Sequence, residues 1–300
     1  MTDAPPPTGP PSTPGPMLRP LLDVGSWLTD TTRSLVHGFG DFFAILTIVS
    51  LAATAVAAPL LWLGSRTAVL ARSGNGAFES VEGLTGADGA MIGGGIAALV
   101  IAQLLLFTAA TVHVDRVRAD ERPGWQASFA LAIRRAPRVV GVVLQVMLIA
   151  FVLVIVIGVA AAVVPGLALL AGPVLFAVTA VLWVRSAVAS THAGLGLPGS
   201  SLRSSFVWTQ KRTWPLLGRH VLMLTIAFGL ILISSFLAAP FQSLGGATAG
   251  DGDVVLRDLV GSSVPAFVAT QFINVLASGL VAAVWASAML SLYRSEPPRA

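Results

Sequence analysis

Five stretches of this chain contain no Asp, Glu, Lys or Arg: residues 42–65, 89–114, 139–184, 220–250 and 259–293. The hydrocarbon core of a bilayer takes about 20 apolar residues of helix. Four of the stretches fit one span each. The third is 46 residues long and carries Val164-Pro165-Gly166 near its middle. Pro-Gly punctuation predicts two helices joined by a tight turn there. The sequence therefore predicts six spans, roughly 42–63, 92–113, 139–163, 167–188, 221–240 and 265–290.

Composition agrees with lipid as the solvent. Charged residues are 11% and apolar residues 55% of the chain, where soluble domains carry about 25% charge. Disordered chains are poor in apolar residues and are excluded for the opposite reason. With no Cys there is no disulfide framework, zinc ribbon or thiol nucleophile. The expected class is an all-α polytopic membrane protein. Residues 1–20, with eight Pro, read as a disordered or polyproline-like tail, 21–292 as the membrane domain and 293–300 as a short tail. The first apolar run begins too late for an ordinary cleavable signal peptide.

Basic residues set the orientation. With the N-terminus inside, fifteen Lys and Arg fall in inner segments, and three, Arg66, Arg72 and Arg257, fall in outer loops. The outer loops also hold Glu79, Glu82, Asp88, Asp251, Asp253 and Asp258. An inner-membrane protein with both termini cytoplasmic is expected. Although the net charge is +4, the cations sit in short loops between apolar runs. They suit anionic lipid headgroups, and nucleic acid is not expected.

Three inner segments are amphipathic on a helical period. Over 21–39, Leu21, Val24, Leu28, Leu35 and Phe39 share a face opposite Asp23, Asp30, Arg33 and His37. Over 125–138, Trp125, Phe129, Ala132 and Ala136 lie opposite Arg134 and Arg138. Over 202–217, Leu202, Phe206, Thr209, Thr213 and Leu217 lie opposite Lys211. Such patterns predict three cytoplasmic interfacial helices. Arg134, Arg135, Arg138, Lys211, Arg212 and Arg219 are the expected headgroup contacts. The segments also superimpose. An offset of 77 aligns Ser128-Phe129 with Ser205-Phe206 and Arg134-Arg135 with Lys211-Arg212, and an offset of 101 places Arg33 under Arg134. The reading is a threefold repeat of an inner helix followed by a transmembrane hairpin.

The segments Leu18-Arg19-Pro20-Leu21-Leu22-Asp23-Val24-Gly25, Gly124…Ser128-Phe129…Arg134-Arg135 and Ser201-Leu202-Arg203-Ser204-Ser205-Phe206 carry a resemblance over residues 18–292. The chain resembles a bacterial multi-pass family named for the membrane domain of glycerophosphodiester phosphodiesterases. In that family the membrane region can precede a TIM-barrel phosphodiesterase, which takes about 250 residues. The chain ends just past its sixth span, so the barrel is expected to be absent and its hydrolase activity is not carried over.

Reactive constellations are sparse. The four histidines, His37, His113, His192 and His220, are scattered, and His113 with Asp115 does not fill a metal's coordination shell. No metal or cofactor is expected. Gly93, Gly95 and Ala98 with Asp115 imitate a dinucleotide fingerprint, but no buried strand pattern precedes them. The glycines read as close helix packing, as do Gly158 with Ala162, and Ser278, Ala282 and Ala286. Trp62, Trp183, Trp285 and Tyr293 read as interfacial belts. The remaining polar candidates are Gln103, Gln145, Gln271 and Asn274, which form either interhelical hydrogen bonds or a small polar substrate site. The span centres lack Asp, Glu, Lys and Arg, which argues against ion-coupled transport.

The expectation is a non-enzymatic scaffold or accessory protein acting on membrane lipids or a partner complex. The alternatives are a transporter or permease subunit and, by the family resemblance alone, an enzyme of phospholipid metabolism. The topology makes a direct prediction. In this Cys-free chain, Asn75→Cys and Gly252→Cys react with an impermeant thiol reagent applied outside intact cells, and Gly199→Cys reacts only after permeabilisation. Protection of either outer position, with labelling of Gly199→Cys, reverses the orientation.

Overall fold

The computed structural model describes residues 23–65, 69–72, 78–119, 121, 124–163, 165–197, 201–210, 212–243, 254–255 and 263–295. The Pro-rich segment 1–20, Lys211 and residues 296–300 lie outside them. The elements in chain order are α1 (Val24–His37), α2 (Phe39–Gly64), β1 (Val69–Arg72), β2 (Phe78–Glu82), α3 (Gly86–Arg118), α4 (Trp125–Val163), α5 (Pro165–Gly194), α6 (Ser201–Thr209), α7 (Thr213–Ser243), β3 (Val254–Val255) and α8 (Val264–Ser295).

The fold is all-α, and among the described residues six helices, α2, α3, α4, α5, α7 and α8, are long and apolar enough to cross a membrane. Lipid supplies no hydrogen-bond partner, so a spanning backbone must satisfy itself, and helices do so internally. The protein is therefore an integral multi-pass membrane protein. The expected break at Val164-Pro165-Gly166 falls where α4 ends and α5 begins. Pro165 is the first residue of α5, a position whose missing N–H costs nothing.

Each span exceeds its expected bounds. At about 1.5 Å per residue, the 39 residues of α4 run about 58 Å, far beyond a hydrocarbon core of about 30 Å. The segment 125–138 is thus no separate interfacial helix but the first turns of α4. No helix breaker separates the two, and Pro137 is absorbed within the helix. The segment 202–217 departs in the other direction. It divides into α6 and the start of α7, with Pro215 tolerated in the first turn of α7. One small β element was not legible in the sequence. Antiparallel pairing in the order β2-β1-β3 ties the α2–α3 connection to the α7–α8 connection.

Helix α8 occupies the middle of the bundle and packs on α1, α2, α3 and α7. A membrane-level cluster of Phe42, Ile45, Leu46, Leu106, Val275 and Ala283 joins α2, α3 and α8. A second cluster lies at the arginine-rich end, where Trp27, Val188, Trp208, Leu216, Met289 and Tyr293 join α1, α5, α6, α7 and α8. A smaller one joins α4 to α5 through Val139, Val142, Ala189 and Ala193. By contrast, the far half of α4 and much of α7 present Met147, Phe151, Phe228 and Phe236 outward, as lipid-facing helices do.

Helix α1 docks on a face that only partly matches the one its apolar residues suggested: Leu28 and Leu35 of that face pack against the two larger clusters. Trp27, Thr31 and Ser34 are buried while Val24 and Val36 are exposed. The hydroxyls tolerate burial because each is bonded within its own helix, Thr31 to the Trp27 carbonyl at 2.8 Å and Ser34 to the Asp30 carbonyl at 2.7 Å. Asp23 caps the helix by accepting from the Ser26 amide at 3.0 Å. Bonds from Ser26 hold the Asp23 carboxyl below its ordinary range.

Small residues set the helix spacing selectively. A Cβ at Gly95 would meet Leu61 Cγ at 2.7 Å, and one at Gly279 would meet Leu46 and, at 2.8 Å, Leu106. Gly95, part of the dinucleotide look-alike, is therefore a packing contact between α2 and α3. Gly158 has nothing within 4 Å of its virtual Cβ, so the close approach expected there does not involve the described residues. Gly279→Ala is expected to destabilise the bundle by about 1–3 kcal/mol through overpacking. Gly158→Ala is expected to leave the thermal midpoint unchanged or slightly raised. Melting both variants in detergent checks the contrast.

Candidate functional site

The polar chemistry of the described residues concentrates at the arginine-rich end of the bundle, where α1, α6 and the ends of α3, α4, α5, α7 and α8 meet. Arg118, in the last turn of α3, binds two other helices. Its Nε donates to Ser34 Oγ at 2.8 Å, and its Nη2 donates to Ser291 Oγ at 2.5 Å and to the Asp30 carboxylate. Ser287 Oγ donates to the Thr31 carbonyl at 3.0 Å, and the Trp27 indole donates to the Ala288 carbonyl at 3.0 Å. Arg294 Nε completes the seam by donating to Asp115 Oδ1 at 2.9 Å. Together these bonds fasten α1 and α3 to α8.

His113 links three further elements. Its Nε2 lies 2.9 Å from the Gly38 carbonyl, which can only accept, so Nε2 carries the proton. In the neutral ring Nδ1 is then the acceptor, and the Ser128 hydroxyl donates to it at 3.1 Å. The order of bonds resembles a hydrolase dyad, but the third member is a neutral carbonyl and Ser128 is 0% exposed. The assembly holds the α1–α2 junction to α3 and α4.

Gly38 must be Gly here, because a Cβ would stand 2.7 Å from His113 Nε2.

The repeat offsets meet at this end. Trp27, Ser128 and Ser205 are related by 101 and then 77. All three are buried, and each bonds to the end of a hairpin's second helix. Trp27 reaches Ala288 of α8, Ser128 reaches His113 of α3, and Ser205 Oγ donates to the Arg185 carbonyl of α5 at 2.5 Å.

The expected headgroup cations divide. Arg134 and Arg138 are exposed. Arg138 Nη1 donates to the Gly196 carbonyl at 3.2 Å and Arg135 Nη1 to the Gly194 carbonyl at 3.1 Å. These bonds serve the C-terminal carbonyls of α5, where cations are favoured. Gly196 ends that helix with φ +69°, a conformation that suits Gly. Arg212 and Arg219 are buried. They are 6% and 7% exposed, and their guanidinium carbons lie 5.3 Å from the Trp208 centroid and 5.7 Å from that of Trp27. A weakly hydrated guanidinium tolerates burial against an aromatic face better than an ammonium would. Lys211 lies outside the described residues.

The polar span residues are only partly gathered. Gln103 Nε2 donates to Ser278 Oγ at 2.5 Å, and Ser278 donates to the Asn274 carbonyl at 2.8 Å. Gln271 is half-buried on the same helix and Asn274 is exposed. Gln145 is exposed on α4 and is not part of this group. Among the described residues no three His, Asp or Glu side chains converge as metal ligands would. No protein-family model, no curated protein and no solved structure matches the chain.

Sequence reasoning missed Arg118 and Asp30 as a pair and His113 as a linker. The only signals were that Asp30 lies on the charged face of the 21–39 segment and that Arg118 lies four residues past the charge-free run 89–114. Replacing His113 by Phe removes two hydrogen bonds and leaves the buried Ser128 hydroxyl without its acceptor. The expected loss is about 2–4 kcal/mol, seen as a lower thermal midpoint, while Arg134→Gln leaves the midpoint within about 0.5 kcal/mol of stability.

Proposed function

We propose that this chain is a non-enzymatic membrane scaffold of the inner membrane. In this reading both termini are cytoplasmic, and its arginine-rich end organises anionic lipid headgroups or seats a partner complex. The observation that carries the reading is the exposed cation at repeat-related positions. Arg33 and Arg134, related by the 101 offset, are both exposed on helices rigidly docked to the bundle, and Lys211 is their counterpart by the 77 offset. Arg138 adds a fourth cation one turn beyond Arg134. Cations fixed at the level where spans leave the bilayer attract anionic lipid by about 1 kcal/mol each. The threefold repeat of inner helix and hairpin gives this placement a reason, and the equivalent bonds of Trp27, Ser128 and Ser205 support it.

Engagement of Gln103 with Ser278 favours this reading over a permease. The best-placed span amide is committed to holding α3 against α8, as interhelical amides commonly are. The family resemblance adds an association with phospholipid metabolism without a catalytic assignment.

Native mass spectrometry of the protein in native-like lipid particles tests the proposal. The expected result is co-purifying anionic phospholipid, a stoichiometric protein partner, or both. Replacing Arg33 and Arg134 together by Gln is expected to weaken anionic-lipid retention roughly thirtyfold, about 2 kcal/mol, with unchanged retention of phosphatidylcholine. Retention of anionic lipid that is indifferent to both substitutions, with no partner present, overturns the scaffold reading.

A further inference from the structure

Helix α4 carries a polar-to-apolar strip on a face turned away from the bundle. Its packed face holds Ala132, Val139 and Val142, which are buried, the last two against α5. Arg134, Arg138, Gly141, Gln145, Leu148 and Val152 recur at spacings of three and four and share another face. All but Gly141 are exposed, and nothing lies within 4 Å of a Cβ built at Gly141. The strip therefore runs from two cations, through a notch with no side chain, to an amide and then onto aliphatic carbon.

Gln145 is the odd member. It is exposed on α4, and its amide makes no hydrogen bond to the described residues. A span of about 20 residues, counted back from the end of α4 at Val163, begins at Leu144. Gln145 thus stands at the edge of the hydrocarbon core on the arginine side. An amide facing hydrocarbon needs a partner, and Gln103 finds one in Ser278. Gln145 faces lipid instead. The groups a bilayer offers at that edge are the ester carbonyls of its acyl chains, which only accept, so Gln145 Nε2 is the donor.

The cations narrow the choice of lipid. Arg138 lies seven residues before Gln145, about 10 Å at about 1.5 Å per residue. That interval holds a hydrogen bond of about 3 Å from guanidinium to phosphate. It also holds the headgroup layer, about 5–8 Å deep in each leaflet, that separates phosphates from ester carbonyls. Arg138 Nη1 donates to the Gly196 carbonyl at 3.2 Å, which fixes the guanidinium and leaves it further N–H groups for an anion. A second copy of this chain does not fit the same strip. Copies share one orientation in the membrane, so a two-fold axis along its normal would set Arg134 and Arg138 against their own counterparts, and like charges repel. An anionic lipid answers the cations and the amide together.

We propose that this face of α4 binds one diacyl anionic phospholipid. Its phosphate lies at Arg134 and Arg138, its glycerol over Gly141, one ester carbonyl at Gln145 Nε2 and one acyl chain along Leu148 and Val152. The site rests on the reading of the arginine-rich end as a headgroup surface and deepens it, from attraction of anionic charge to recognition of the ester linkage.

The test places the full chain in nanodiscs of ether-linked phosphatidylcholine, which offers no ester carbonyl. The discs are doped equally with dioleoylphosphatidylglycerol and its di-O-oleyl ether, and retained lipid is counted by native mass spectrometry. The expected result is a three- to tenfold preference for the diester, roughly that of one hydrogen bond. Gln145→Leu is expected to equalise the two phosphatidylglycerols while both stay preferred over phosphatidylcholine. Arg134→Gln is expected to lower retention of both about fivefold and to keep their ratio. Equal retention of the two by the wild-type chain, with the anionic preference intact, overturns this site alone. So does an ester preference that survives Gln145→Leu, or a dimer that Gln145→Leu dissolves, the mark of a second copy on the strip. Loss of the wild-type preference for phosphatidylglycerol over phosphatidylcholine overturns the scaffold reading and this site with it. If Gln145→Leu fails to fold, Gly141→Leu, which covers the notch, decides the matter: an unchanged ester preference in that variant also overturns the site.

Discussion

Everything in this protein follows from a solvent that cannot hydrogen-bond. Within the hydrocarbon layer a polar group must find its partner in the protein, and the described residues show the consequences at each scale. The backbone is helical through six spans. The hydroxyls of Thr108, Thr111 and Thr225 bond to carbonyls one turn back in their own helices. A side-chain amide crosses between helices, as Gln103 does to Ser278. Groups too strongly charged for such solutions collect at the ends of the helices, where Arg118, Arg135 and Arg294 meet carbonyls, hydroxyls and carboxylates.

That accumulation makes the arginine-rich end the most specified part of the molecule. Hydrophobic association contributes little between spans, because acyl chains are as apolar as leucine side chains. Directional bonds decide which helix docks where. The indole of Trp27 on the Ala288 carbonyl and Arg118 among Asp30, Ser34 and Ser291 place α1 on α8. His113 places α4 beside the α1–α2 junction. The helices α1 and α6 and the start of α4 therefore each join another helix, α1 to α8, the start of α4 to α3, and α6 to α5.

The pairing is not complete: His220 Nε2 and the hydroxyls of Ser50, Thr54 and Thr270 are buried without a hydrogen-bond partner among the described residues. Elsewhere at the arginine-rich end, buried histidines are bonded at two atoms or lean on an aromatic ring and a serine, as His113 and His192 do.

The sequence by itself determined the number of spans, their approximate places and the break at Pro165, because charge-free length and Pro-Gly punctuation are local properties that lipid enforces one helix at a time. It also marked which segments carry the cations. Tertiary structure decided what those segments touch. The buried face of α1 centres on Trp27, Thr31 and Ser34, with Leu28 and Leu35 of its apolar pattern packed beside them, since self-bonded hydroxyls pack on α8 as well as methyl groups do. Arg212 and Arg219 turned inward onto tryptophans, a choice open to any arginine beside an aromatic face. The segment 125–138 merged with its span while 202–217 divided, and β1 paired with both β2 and β3. Gln145 went outward while Gln103 went inward, because the rotation of each helix about its axis is fixed by its neighbours and is not encoded in the charge-free length that announces it.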